Sequence, residues 1–310
     1  MTQTLLPAVP GGPKEAPAPP RRPAPPRPGP YLRTLSAALL ILAALMLGLV
    51  ANAGPLGDLR HGRDRQVDYA ALRAQLATGT APVAAAPTDG GTALEPGSLV
   101  AVLHIPGIRL REVVREGTTP GLLARGPGHR RDTPLPGQAG VSVLLGRQAV
   151  FGGPFARLDD VLPGEELTVT TGQGKHRYRI TGIRRAGDPQ PPPPGDGEGR
   201  LTLVTAEGTP FMPTGILRVD AELVSEPQGA AAPAVRPGAL PADEQAMGTQ
   251  ETAWMPLVLW CQALVLAAAA LAWVRARWGR GQTWFVGVPL MAVLGLAAAD
   301  QALLLMPNLV

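Results

Sequence analysis

Three long apolar runs constrain this chain more than any other feature. They are "LRTLSAALLILAALMLGLVANAG" at 32–54, "WMPLVLWCQALVLAAAALAWV" at 254–274 and "WFVGVPLMAVLGLAAADQALLLM" at 284–306. Each is about the ~20 residues that a helix needs to cross the hydrocarbon core. In lipid an unpaired backbone group has no water to turn to, so such runs are expected to be helices. The expected transmembrane segments are therefore 32–53, 254–274 and 284–306. Arg21, Arg22, Arg27 and Arg33 precede or open the first run, and Arg275, Arg277 and Arg280 lie between the second and third. The positive-inside rule then puts the leading tail and the 275–283 loop in the cytoplasm, and everything between the first and second runs outside. Trp254, Trp273, Trp278 and Trp284 fall at the expected interfaces. "ANA" at 51–53 resembles a small-residue cleavage site. The long arginine-bearing stretch before the first run favours an uncleaved anchor. Asp300 and Gln301 interrupt the third run. An intramembrane carboxylate marks a functional candidate, but here one near the outer end is expected to reach the interface.

Between and around these runs the composition alternates. Residues 1–31 are a Pro-rich tail, "PKEAPAPPRRPAPPRPGP", expected to be extended and solvated. Residues 54–94 hold a juxtamembrane segment in which Tyr69, Leu72 and Leu76 share one face of a short amphipathic helix over 58–79, followed by a linker. Residues 227–253 are a second Pro/Ala-rich linker.

Residues 95–226 read differently. "SLVAVLHIPGI", "EVVREG", "GVSVLLG", "ELTVTTG", "HRYRITGI", "RLTLVTA" and "GILRVDAELV" are short runs of Val, Ile, Leu and Thr, separated by "PGQAG", "LPGEE", "TGQG" and "PPPPGDGEG". Many short strands with regular turn signals predict an all-β domain, a closed barrel of about eight strands. "PGLLARG" suggests a one-turn helix. Aromatic residues are only 4%, so the core is expected to be aliphatic.

Charge and cysteine usage exclude several classes of function. The net charge is +4, yet no stretch interleaves aromatic and basic residues, so no nucleic-acid partner is expected. The lone cysteine, Cys261, lies inside an apolar run, which leaves neither a disulfide framework nor a cysteine-based zinc site. His104, His129 and His176 have no mutual metal-ligand spacing and are expected to be structural or solvated. No metal and no cofactor is expected.

The stretch "LTLVTAEGTP" at 201–210 carries the functional argument. An apolar, β-branched strand delivers Thr205, Ala206 and Glu207 to a glycine turn. Taken with "VAVLHIPGIRLREVVREGTTPGLLARGPGHRRDTPLPGQAGVSVLLGRQ", "FGGPFARLDDVLPGEELTVTT" and "GILRVDAEL", it resembles a sortase catalytic domain in order and spacing, over about 95–226. The resemblance is greatest to the class E-like sortases of high-GC Gram-positive bacteria. It implies an enzyme that cuts a cell-wall sorting signal and joins the new carboxyl end to an amine. Such an enzyme uses a cysteine thiolate as nucleophile, a histidine as proton donor and an arginine that supports the oxyanion or the substrate.

On that resemblance the cysteine position falls on Ala206, the histidine position on Arg147 and the arginine position on Arg218. Alanine offers no nucleophile, and an arginine stays charged and cannot shuttle a proton. The expectation is therefore a degenerate sortase, catalytically inactive, anchored in the plasma membrane with its β domain outside. It would bind or present a sorting-signal peptide, a surface protein or an active sortase. Arg147 and Arg218 are the candidate ligand-binding pair, suited to a carboxylate or phosphate; pairing of each with a local acid such as Glu207 or Asp220 is the plainer expectation. Two other functions stay open. One is an active transpeptidase or hydrolase that works through Thr205, Glu207 and Arg218. The other is a structural subunit of a membrane complex.

Overall fold

The computed structural model describes residues 30–86, 93–278 and 280–310. The expectations for the Pro-rich tail before residue 30 lie outside the described residues. Helix α1 spans Pro30–Ala51 and α2 spans Gly57–Thr78, joined through a kink at Asn52–Leu56. The kink has two local causes. Gly54 leaves the helical region (φ −106°, ψ −105°), and Pro55 has no N–H to give to the ladder. Glycine ends α2 as well: Gly79 adopts φ +70° and its N–H returns to the carbonyls of Gln75 and Leu76. On α2 the expected apolar face is real. Leu72 is buried, and Tyr69 and Leu76 pack with it against Leu99 and Val113 of the barrel.

Eight strands follow: β1 Leu99–Ile105, β2 Leu110–Glu116, β3 Gly128–His129, β4 Gly140–Leu145, β5 Glu166–Thr171, β6 Gly174–Arg184, β7 Gly199–Thr209 and β8 Met212–Leu223. They close into a barrel in the order β1-β2-β3-β4-β7-β8-β6-β5, which leaves no free edge. β4 and β7 pair in parallel, with Leu145 beside Val204, while β7 and β8 pair antiparallel, with Val204 beside Arg218 and Ala206 beside Ile216. The short helix α3, Pro120–Leu123, lies between β2 and β3. Thr119 caps it by accepting from the Leu122 N–H, and proline occupies its first turn.

The two-residue period of the strands sorts side chains between the interior and the outer face. Leu201 and Leu203 of β7 enter the aliphatic core with Leu103, Leu144, Val169 and Val219. Tyr178 joins them, and its hydroxyl oxygen accepts from the Gly137 N–H at 2.6 Å. Arg200, Thr202, Val204 and Ala206 alternate with the core residues and form the opposite face of β7.

Two further helices follow the barrel, α4 Trp254–Trp278 and α5 Arg280–Leu304, and pack on one another. Among the described residues three helical stretches are long and apolar enough to cross a membrane: Leu42–Thr78, Glu251–Val274 and Trp284–Leu304. The last turn of α5 meets the kink and the loop after β4. Leu303 and Met306 pack with Leu49, Ala53, Val150 and Phe151. Asp300 does not stand alone there: its carboxylate accepts from Asn52 Nδ2 at 2.7 Å and from Arg60 Nη1 at 2.9 Å.

Candidate functional site

The outer faces of β4, β7 and β8 form a groove, and its two ends differ. The open end is a cleft of about 410 Å³. Val141, Val143, Val204 and, from the loop between β6 and β7, Pro191 and Pro193 give it apolar surface, and Thr202 and Asp220 give it polar surface. Four arginines line it: Arg130, Arg184, Arg200 and Arg218. Three of them have partners. Arg130 grips Asp132 with two bonds of 2.9 and 2.6 Å. Arg184 holds Asp220 through Nε and Nη2, and Asp220 also accepts from Thr202 Oγ1 at 2.7 Å. Arg200 Nη1 donates to the Pro192 carbonyl at 2.7 Å. Arg218 makes no hydrogen bond or ion pair among the described residues. Partial burial pushes its pKa down, the neighbouring Arg184 charge adds to that, and Asp220 acts against it. The cleft thus holds more positive charge than its own carboxylates neutralise.

The closed end surrounds Ala206. Its methyl lies in an apolar cluster with Leu123, Leu145, Val204 and Leu309. Arg147 follows β4 and is fully buried. Nη2 donates to the Pro120 carbonyl at 3.0 Å, and Nη1 donates to the carbonyls of Val310 at 3.0 Å and Pro307 at 3.5 Å. Its charge sits 5.0 Å from the Phe151 ring centroid, a cation–π distance. No Asp or Glu side chain reaches it among the described residues. Burial lowers its pKa to about 10, so it remains protonated at neutral pH.

β7 therefore brings Ala206 and, through its partners, Arg147 and Arg218 to one groove, but the two arginines serve different neighbours. The acids named as their possible partners are engaged elsewhere. Asp220 belongs to Arg184, and Glu207 pairs with Arg185 at 2.9 Å. Thr205 alternates with Ala206, and its hydroxyl is buried with no hydrogen-bond partner. It lines a smaller cleft of about 260 Å³ together with Glu207, Gln148 and Thr214.

The histidines lie in structural settings. His129 is fully buried, with Nδ1 at 2.7 Å from Glu116 Oε2 and Nε2 at 2.9 Å from the Pro134 carbonyl. His176 sits in the wall of β6 against Thr171 Oγ1 at 3.2 Å, and burial lowers its pKa. His104 is lowered by burial first and by Arg111 and Lys175 after it. Among the described residues no three His, Cys, Asp or Glu side chains gather as a metal site. Cys261 is exposed on α4.

Sequence reasoning missed Arg130, Arg184, Arg200 and the segment Pro307–Val310. Arg200 was within reach, because it keeps the two-residue period of Thr202, Val204 and Ala206. Arg184 and the segment after α5 depend on register and long-range packing.

Residues 103–215 match the model of the sortase domain. The barrel is thus a closed eight-stranded structure that matches the sortase fold. Among solved structures, a Clostridium perfringens sortase D5 transpeptidase is similar at 20% identity over 53% of this chain and 99% of that one, with a TM-score of 0.43. Sortase E from Streptomyces avermitilis is similar at 27% identity over 43% and 91% of the two chains, with a TM-score of 0.36. A Clostridium perfringens sortase C, solved with the C-terminal cell wall sorting motif, is similar at 20% identity over 53% and 89%, with a TM-score of 0.39. No curated protein matches.

Proposed function

We propose that this chain is a membrane-anchored sortase-fold protein whose barrel binds a peptide segment and neither cleaves nor joins it. The observation that carries this reading is Ala206, a bare methyl in an apolar cluster at the end of β7 where the family resemblance requires a thiolate. Arg147, at the histidine position, holds its proton at neutral pH and directs its donors at backbone carbonyls. A proton donor that does not release its proton cannot serve a leaving amine. Thr205 is no substitute, because no base hydrogen-bonds its hydroxyl among the described residues.

What remains is recognition. The open cleft pairs apolar surface with Arg218, which makes no hydrogen bond or ion pair among the described residues, and this suits an extended peptide carrying a carboxylate. A sorting-signal-like peptide, a surface protein or an active sortase presenting such a segment is the proposed partner. The arginines at 275, 277 and 280 favour a β domain on the outer side of the plasma membrane.

The test uses the full chain in detergent with a library of sorting-signal-like peptides and an amine acceptor, read by mass spectrometry. Saturable binding of one peptide class without product is the expected result. Product from the native chain overturns the reading and turns attention to Thr205, Glu207 and Arg218. The Ala206→Cys, Arg147→His double variant runs beside it, to ask whether the groove still supports chemistry when the missing groups are supplied.

A further inference from the structure

The closed end of the groove is filled by this chain's own residues. Pro307–Val310 follow α5, and the segment is held at every position. The Val310 N–H returns to the Pro307 carbonyl at 3.0 Å, so the four residues form a turn. Arg147 Nη1 donates to both carbonyls of that turn. The Asn308 N–H donates to the Gly248 carbonyl at 2.8 Å, and its Nδ2 donates to the carbonyls of Gln245 at 2.8 Å and Thr118 at 3.1 Å. The Leu309 carbonyl accepts from the Gln148 N–H at 2.8 Å, and its side chain is fully buried with Leu123, Leu145, Val204 and Ala206. Asn308 and Leu309 are both fully shielded from solvent.

We propose that the Arg147–Ala206 end of the groove is a peptide-binding site, and that Pro307–Val310 is its ligand in cis. The geometry has the features of a recognition site. A guanidinium reads two main-chain oxygens, the carbonyls of Gln245, Thr118 and, at 3.5 Å, Asp243 read one carboxamide, and an apolar cluster that includes the Ala206 methyl takes one branched aliphatic side chain. Every one of these contacts is made to residues 118–248, from a segment more than fifty positions further along the chain. The site therefore accepts a turn-forming segment of the same chemistry: proline, a small carboxamide residue, then leucine and another aliphatic. Such a segment in trans competes only when the cis ligand leaves. The leash is short, since Leu303 and Met306 are packed against Ala53, Val150 and Phe151, and Asp300 is tied to Asn52 and Arg60. A displacement of the end of α5 in the membrane is thus coupled to opening of the site.

Burial of position 206 supplies the assay. In a Cys261→Ser background, Ala206→Cys puts one thiol under Leu309, and maleimide labelling of the detergent-solubilised full chain reports its cover. The expected labelling is at least tenfold slower in the full-length variant than in the same variant lacking 307–310. Asn308→Ala, which keeps the segment but removes its carboxamide bonds, should fall between the two. Acetyl-Pro-Asn-Leu-Val-amide added to the shortened variant should slow labelling again in a saturable way, and a scrambled peptide should not. A circular-dichroism spectrum on each variant confirms the barrel. Equal labelling with and without the segment overturns the seated ligand. Faster labelling on removal with no protection by the peptide also overturns the proposal, since the segment would then be only a strut. The outcome is separate from the catalytic question, because an active enzyme could carry the same plug and an inactive one could lack it.

Discussion

Arg147 and Arg218 stand at the two ends of one groove and put the same side chain to opposite uses. Arg147 is fully buried and turned onto the main-chain oxygens of Pro120, Pro307 and Val310, with no Asp or Glu beside it among the described residues. Arg218 is half-buried, makes no hydrogen bond among the described residues, and lies beside the ion pair of Arg184 and Asp220. Burial of a charge costs several kcal/mol unless hydrogen bonds compensate it, and carbonyl dipoles do so only in part. The lowered pKa of Arg147 is the trace of that cost. The closed end thus commits its arginine to this chain's own backbone, and the open end leaves its arginine without a hydrogen bond among the described residues.

The largest expected effect separates the ends by stability. Arg147→Met leaves three main-chain oxygens of the closed end one donor short. It should lower unfolding stability by about 3 kcal/mol, as loss of one member of a buried polar network does. Arg218→Met removes a charge that makes no ion pair among the described residues and should change stability by less than about 0.5 kcal/mol. Urea midpoints of the two variants decide the matter, and equal shifts would erase the distinction.

Leu309→Ala probes the closed end from the side of the segment. It empties an aliphatic pocket and should cost about 2–4 kcal/mol if the pocket does not collapse. If the segment leaves instead, the loss is capped at its docking free energy, and the signature becomes exposure of position 206. Calorimetry together with hydrogen exchange at Val204 and Ala206 separates the two outcomes.

The strands show how far the sequence reading reached. The alternation in "LTLVTA" is local, and in the barrel it carries Leu201 and Leu203 into the core and Ala206 to the groove face. The nearness of Arg147, Ala206 and Arg218 came from a resemblance in motif order. What their side chains touch was beyond either. The partners of Arg147 are 27, 160 and 163 residues away, a matter of tertiary packing that no period encodes. Asp300 makes the same point. An acid near the outer end of an apolar run suggests only that it seeks water, yet it is met by Asn52 and Arg60 from the far side of the chain. The carboxylates offered as partners failed for a related reason. Asp220 lies two residues from Arg218, but Arg184, which stands opposite Arg218 on β6, reaches diagonally across to it.

At the open end the effect is on binding. Arg218→Glu reverses a charge that makes no hydrogen bond or ion pair among the described residues and should weaken a carboxylate-bearing peptide at least tenfold, about 1.4 kcal/mol. Raising salt should weaken the native complex and leave the variant's residual binding almost unchanged. Fluorescence polarisation at two ionic strengths reads both. A variant that binds as well as the native chain would assign the peptide to another surface.

The smallest effect is with pH, and it belongs to neither end. Both ends rely on guanidiniums, which stay charged through neutrality, so peptide affinity should be flat between about pH 6 and 8. The barrel should respond through His176, whose folded pKa lies below the ordinary 6.5 because burial disfavours its charged form. The unfolded chain takes up the proton near 6.5 while the folded barrel resists it. The neutral ring's contribution is therefore whole above about pH 6.5 and is lost as the pH falls through the folded value. Urea midpoints should decline below about pH 6.5 more steeply in the native chain than in His176→Gln. Parallel curves would mean that the buried ring on β6 adds nothing to the acid response.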